Sequence, residues 1–192
     1  MPIDKSIDYS AITPEIKALT KLCLADNVIE PEMYVKYAVN RGLRDLNGNG
    51  VLTGLTEISE IQSSKMVDGE KVPCEGKLFY RGVDVEQIVS GFIREKRYGF
   101  EETVYLLLFG ALPDEAQLDD FKKLLAGYRS LPTNFVRDVI LKAPNADMMN
   151  TLARSVLTLY SYDARATDNS TENVLRQCLQ LIALFPMLSV YG

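Results

Sequence analysis

The chain contains no histidine and no tryptophan. Without imidazole it cannot assemble a Ser-His-Asp or Cys-His relay, nor any zinc site that uses a histidine ligand. Cysteine is scarce: Cys23, Cys74 and Cys178 are odd in number, widely spaced and free of a CxxC pair. That pattern argues against a zinc-thiolate site and a disulfide framework, and fits a reducing, cytoplasmic setting. GxSxG and GxxxxGK[ST] are both absent. Gly48-Asn49-Gly50 lacks the third glycine of a dinucleotide loop, and a strand rather than a helix is predicted after it. Positive charge is also short, with 21 basic against 26 acidic residues and a net charge of −5. Neither a nucleic-acid partner nor an anionic membrane surface is expected. No basic-apolar-small leader pattern opens the sequence. The longest dense apolar run, Leu181 to Val190, contains Pro186 and is too short to span a bilayer. A soluble, cytoplasmic protein is the expectation.

What is present is ordinary globular material. Of 192 residues, 47% are hydrophobic and 24% charged, enough for one domain or most of one. The local signals are mainly helical. Thr13 and Pro14 start a helix with Ile16, Leu19, Leu22 and Cys23 on one face. A second start at Pro31 leads through Met33, Val35, Tyr37 and Ala38 toward Gly42. Val51 to Ile61 reads as a strand with a possible bulge at Gly54. Ser63 to Gly76 reads as a polar, turn-rich connection, and Lys77 to Tyr80 as a short partner strand. Asp84 and Gln87 form a capping box, with Val83 and Ile88 as a staple, ahead of the stripe Val85, Ile88, Val89, Phe92 and Ile93. Gly99 is expected to end that helix, with Arg94, Lys96 and Arg97 complementing its dipole.

The next helix, opened by Glu101 and Glu102, is apolar almost all round through Phe109 and should be buried on most sides. Asp114 starts another, with Leu118, Phe121, Leu124 and Leu125 inward. Pro132 opens a short one through Phe135, Val136, Val139 and Ile140. Met148 to Tyr160 is amphipathic. Asp163 to Asn169 is a loop. Ser170 then caps a helix through Val174, Leu175, Cys178, Leu179 and Ile182, which Pro186 should kink or break. The last twelve residues, Leu181 to Gly192, carry no charge, so they are expected to need cover from elsewhere. The fold class is mainly all-α, with a small antiparallel β element near residues 51–80.

Several residues are candidates for chemistry. Asp45, Asn47, Asn49 and Gly50 match positions 1, 3, 5 and 6 of a calcium loop, and Leu52 suits position 8. Position 12 is Thr56, however, and Glu57 falls one place late; an Asn-Gly turn entering a strand accounts for the same residues. Arg81, between Tyr80 and Gly82, is either an anion contact or a clamp that satisfies local carbonyls, the commoner use of such an arginine. Met148 and Met149 either line a ligand groove or pack with Leu152, Val156 and Leu159. Asp84, Glu86, Glu101 and Glu102 are explained as helix-start acids before any paired-carboxylate catalysis is invoked. Cys23 and Cys178 sit on predicted apolar faces as small core residues. Asn169-Ser170-Thr171 spells a glycosylation triplet that nothing else supports.

The order of signals from Gly76 to Pro113, GKLFYRGVDVEQIVSGFIREKRYGFEETVYLLLFGALP, resembles the citrate synthase family. So do Gly50 to Thr56 with Ile58, Lys142-Ala143-Pro144 with Asp147 to Asn150 and Leu152, and Leu179 to Leu188 with Phe185-Pro186. The resemblance covers residues 41–192. The local signals give N-terminal helices over 1–44, and the resemblance implies that 45–192 is a part of the large helical domain without the small domain. It implies a homodimer in which helices near 148–160 and 170–191 pack across subunits. It further implies an enzyme that condenses acetyl-CoA with oxaloacetate, or a 2-methylcitrate synthase acting on a longer acyl-CoA. In that reaction an Asp removes the methyl proton, one His steadies the enol and another polarises the carbonyl, while arginines hold the carboxylates. None of those positions maps onto this sequence, so no catalytic, substrate-binding, cofactor-binding or metal residue is assigned. On this reading the chain resembles about the first half of the enzyme, binds no cofactor and is inactive alone. A non-catalytic helical dimerisation or regulatory module is the alternative.

Overall fold

The computed structural model describes residues 8–40, 43, 51 and 53–192. The chain divides into two compact units, residues 22–118 and residues 1–21 with 119–192. Helix α1 (Pro14–Ala25) starts in the second and ends in the first, as expected from Thr13, whose hydroxyl accepts the Ile16 amide at 3.4 Å. Its buried positions are Ile16 and Thr20; Leu22 is exposed and Cys23 half-buried. The Thr20 hydroxyl turns back to the Ile16 carbonyl, which hides its polarity.

In the 22–118 unit, α2 (Pro31–Lys36) is shorter than its sequence pattern implies. Ala38 adopts φ 48° and ends the helical path. The alternation over Met33 to Val39 was already poor helical periodicity, and Val35 and Tyr37 stay exposed.

The β element differs most from expectation. Val51 and residues 53–58 are neither helix nor strand. Strand β1 (Ser59–Val67) pairs antiparallel with β2 (Glu70–Tyr80), and β2 pairs with the short β3 (Val83–Asp84). The segment read as a polar connection is thus a hairpin. Asp68 and Gly69 both have positive φ, the requirement of a two-residue turn that matches strand twist. The register slips between Gln62 and Ser64, not at Gly54. The alternation was illegible because neither face of β1 is buried: only Ser64 is even half-covered.

Helix α3 (Val85–Glu95) begins at Asp84, whose carboxylate accepts the Glu86 amide at 2.9 Å and pairs with Lys77 at 3.3 Å. Ile88 alone of the predicted stripe is buried; Val89 and Ile93 are exposed. The helix stops at Lys96, which takes a left-handed conformation, three residues before Gly99. Gly99 instead precedes α4 (Phe100–Phe109). A Cβ there would lie 1.9 Å from the Phe92 ring, so close approach rather than helix termination requires glycine. Arg97 lies over the same ring at 5.0 Å and pairs with Glu95 and Glu102. Every residue of α4 from Glu101 to Phe109 is buried or half-buried, as its all-round apolarity predicted.

The second unit contains the start of α1, most of α5 (Glu115–Tyr128), a π-helical segment (Val136–Leu141), α6 (Met148–Tyr160) and α7 (Thr171–Tyr191). The reciprocal capping box expected at Asp84 is found at Asp114: its carboxylate accepts the Gln117 amide, and Gln117 Oε1 accepts the Asp114 amide. Phe135, Ile140, Leu184 and Leu188 form a core cluster, with Leu131, Val139, Leu152, Leu159 and Tyr162 packed on it. Such buried side chains are worth ~1.5–3 kcal/mol each. Helix α7 runs through Pro186 without a break. Leu179, Ala183, Leu184 and Leu188 are buried on both sides of the proline, so packing holds what the lost backbone bond would loosen. By length and composition α7 could also cross a membrane. It carries the fully buried Arg176 and Asn173, however, both bonded within the unit, as in the core helix of a folded domain.

Candidate functional site

Two features stand out on α6 and α7. The first is an open apolar groove of about 670 Å³, lined by Met149, Leu152, Val156, Leu157, Phe185 and Ser189. Asp147 fixes the start of α6 by accepting the Asn150 amide at 3.1 Å, a cap that the Asp before Met148 could have signalled. On α6 the small residues Thr151 and Ser155 are buried, whereas the larger Met149 and Leu157 stand on its outer face. Met149 and Leu157 are about three-quarters exposed, so Met149 lines a groove and is not the packing residue its spacing implied.

The second feature is a buried arginine. Arg176 is fully enclosed, and five hydrogen bonds occupy its five N–H donors. Nε and Nη2 donate to Asn173 Oδ1 at 3.1 and 2.6 Å, and Nη2 to Asp163 Oδ2 at 2.7 Å. Nη1 donates to the Tyr9 carbonyl at 2.5 Å and to Gln180 Oε1 at 2.9 Å. Gln180 Nε2 reaches the same Tyr9 carbonyl at 2.8 Å. Asn173 in turn donates to the carbonyls of Arg165 and Asp168, which ties the α6–α7 loop down. Burial pushes the Asp163 carboxyl up, but hydrogen bonds from Gln177, Arg176, the Arg165 amide and Ser10 together hold it below its ordinary value. Sequence reading missed this network; its signal was a lone Arg on the apolar face of α7.

The candidates read from sequence scatter. Asp45, Asn47, Asn49, Gly50 and Leu52 of the calcium pattern, and Gly48-Asn49-Gly50, lie outside the described residues. Thr56 Oγ1 accepts the Ile58 amide at 3.1 Å, and no helix follows. Among the described residues no cluster of three metal-ligating side chains occurs. Arg81 serves as a clamp. It sits with Gly82 in the β2–β3 turn at φ 49° and 79°. Its guanidinium donates twice to the Leu107 carbonyl, at 3.2 and 3.0 Å, once to the Asp26 carbonyl at 3.3 Å, and to Asn27 Oδ1. It thereby joins the turn to the C-terminal ends of α1 and α4, where orphan carbonyls gather. Asp84 and Glu86 open α3, and Glu101 and Glu102 open α4, as helix-start acids. Cys178 is exposed on α7 and is no core residue; Cys23 and Cys74 are half-buried. Ser170 occupies the N-cap position of α7 but its side chain caps nothing; it bonds Asp168, whose carboxyl is drawn down to about 2 chiefly by the Ser170 amide.

Comparison with known proteins gives a consistent result. The family model for the citrate synthase C-terminal domain matches residues 45–192. The chain is 33% identical over 107 residues to the citrate synthase of Saccharolobus solfataricus, covering 55% of this chain and 26% of that one. It is 30% identical over 141 residues to 2-methylcitrate synthase 1 of Corynebacterium glutamicum, covering 73% of this chain and 32% of that one. The crystal structure of citrate synthase from Pyrobaculum aerophilum superposes with a TM-score of 0.58 at 26% identity, over 78% of this chain and 37% of that one. The chain therefore spans about a third or less of the curated relatives it matches. With the family model covering all of it from residue 45 onward, this mainly helical chain belongs to the citrate synthase family.

Proposed function

We propose that this chain supplies helical scaffold and subunit-pairing surface to a citrate synthase-type acyltransferase, one that condenses an acyl-CoA with oxaloacetate, and that the 192 residues alone do not turn over. The observation that carries the reading is a family match over residues 45–192 in a sequence without histidine. The family reaction needs a group that can donate to a developing enolate and polarise a carbonyl near neutral pH, and imidazole fills that role. This chain holds scaffold elements of that machinery and binds no cofactor of its own. The α6–α7 groove supports pairing of two copies through helices 148–160 and 170–191, because its exposed methionine, leucine and phenylalanine side chains favour removal from water. The three free cysteines fit a reducing cytoplasm.

The test is thiol release from acetyl-CoA and from propionyl-CoA, each with oxaloacetate, on material of confirmed 192-residue mass. No release above buffer is expected with either. Turnover in a sample free of contaminating enzyme defeats the proposal. A regulatory module is the second reading, favoured by the same open groove. Mixing the chain with a full-length family member separates the two: a stable heterodimer selects the module, whereas self-pairing alone selects the scaffold.

A further inference from the structure

We propose that the segment Asp8–Ser10 is a strap that closes the 1–21/119–192 unit, seating its Tyr9 carbonyl in a socket made by Arg176 and Gln180, and that release of this strap is the first opening of the unit. The strap is read through its backbone: two buried or half-buried side chains on α7 converge on one carbonyl, at 2.5 and 2.8 Å. Ser10 adds a second anchor, since its hydroxyl accepts the Ala164 amide at 2.7 Å and is 93% covered with the rest of its residue, at 7% exposure. The strap itself is pre-shaped by Asp8, whose carboxylate accepts the Ser10 amide at 2.9 Å. These residues lie outside the stretch matched to the family, yet they complete the hydrogen bonding of an arginine inside it.

Release of the strap has a defined consequence. One guanidinium N–H, the Gln180 amide and the Ala164 amide each lose their acceptor. Asp163 and Asn173 remain on Arg176, so the cation is never left bare and α7 need not unfold with the strap. That separation makes strap release a local event rather than part of global unfolding.

The test is native-state hydrogen exchange on the full chain in low, rising denaturant. In the parent, the Ala164 amide is expected to be protected and to exchange through an opening that hardly depends on denaturant, while Leu179 and Leu188 exchange by global unfolding. Ser10→Ala should raise the Ala164 rate roughly tenfold, the effect of one hydrogen bond. Gln180→Leu should raise it several-fold as well, although Gln180 has no bond to Ala164; the Leu188 rate should rise too, because global unfolding breaks the same Gln180 bonds. A Gln180→Leu chain with an unchanged Ala164 rate overturns the proposal. So does a parent in which Ala164 exchanges like a free amide, or together with Leu179; those two outcomes need no variant to fold.

Discussion

Two arginines do similar work under different conditions. Arg81 and Arg176 each gather main-chain carbonyls that local structure leaves unpaired. Arg81 stands in a turn, half-buried, with no carboxylate among its hydrogen-bond acceptors in the described residues. Arg176 is fully enclosed on a helix and has Asp163 as counter-ion. The difference follows from desolvation. A guanidinium with access to water needs only carbonyls, whereas one shut away from water needs a full set of partners and a negative charge among them. The same residue type therefore serves as a replaceable clamp in one region and as an obligatory keystone in the other.

Substitution at the two positions should show this directly. Arg176→Ala leaves the half-buried Asp163 beside an empty, enclosed socket and should cost ~3–5 kcal/mol by denaturant unfolding. Arg81→Ala should cost ~1–3 kcal/mol, since the freed carbonyls can in part return to water. Equal losses at the two sites would break the comparison.

Gly110 probes the Arg81 region independently of charge. It has φ 84°, and a Cβ there would lie 2.8 Å from Asp26 Cβ, beside the carbonyl that Arg81 holds. Gly110→Ala should destabilise by ~1–2 kcal/mol, measured the same way, because both the backbone angle and the close contact oppose it.

Acid should discriminate between the regions. The native Asp163 carboxyl lies below its ordinary value, so its contribution is present above the unfolded value and is lost as pH falls through the folded one. The unfolding midpoint should therefore drop on acidification below the usual carboxylate range. Asp163→Asn should flatten that drop, while Arg81→Ala leaves its shape intact. The smallest effect on stability is expected at the groove. Leu157 is 74% exposed, so Leu157→Glu should change unfolding by less than ~0.5 kcal/mol. Size-exclusion chromatography should nevertheless show it eluting as a smaller species than the parent, if the groove pairs two copies.

Legibility in the sequence tracked burial. Helices α4 and α6 match their expected bounds, and α7 does so apart from continuing through Pro186, where a kink or break is expected from sequence. The β1–β2 hairpin was not legible, because a strand exposed on both faces has no reason to alternate. Asp68-Gly69 was the one readable sign of it. The α3 stripe was legible as a pattern, yet Val89 and Ile93 are uncovered, so periodicity announced a face without saying what meets it. Arg81 could be weighed as a clamp from its turn, but its acceptors at Asp26 and Leu107 lie 55 and 26 residues away and are set only by folding. Arg176 gave only the sign of a lone Arg on an apolar helix face, and its acceptor at Tyr9 lies 167 residues back.

The sequence by itself determined the chemistry on offer and the helical plan. A chain without imidazole excludes whole classes of catalysis wherever its atoms are placed, and caps and apolar spacing act within a few residues. Tertiary structure alone decided which polar groups are enclosed and which apolar faces stay open. Desolvation and hydrogen-bond satisfaction depend on neighbours brought from far along the chain, as Tyr9 is brought to Arg176 and Asp26 to Arg81.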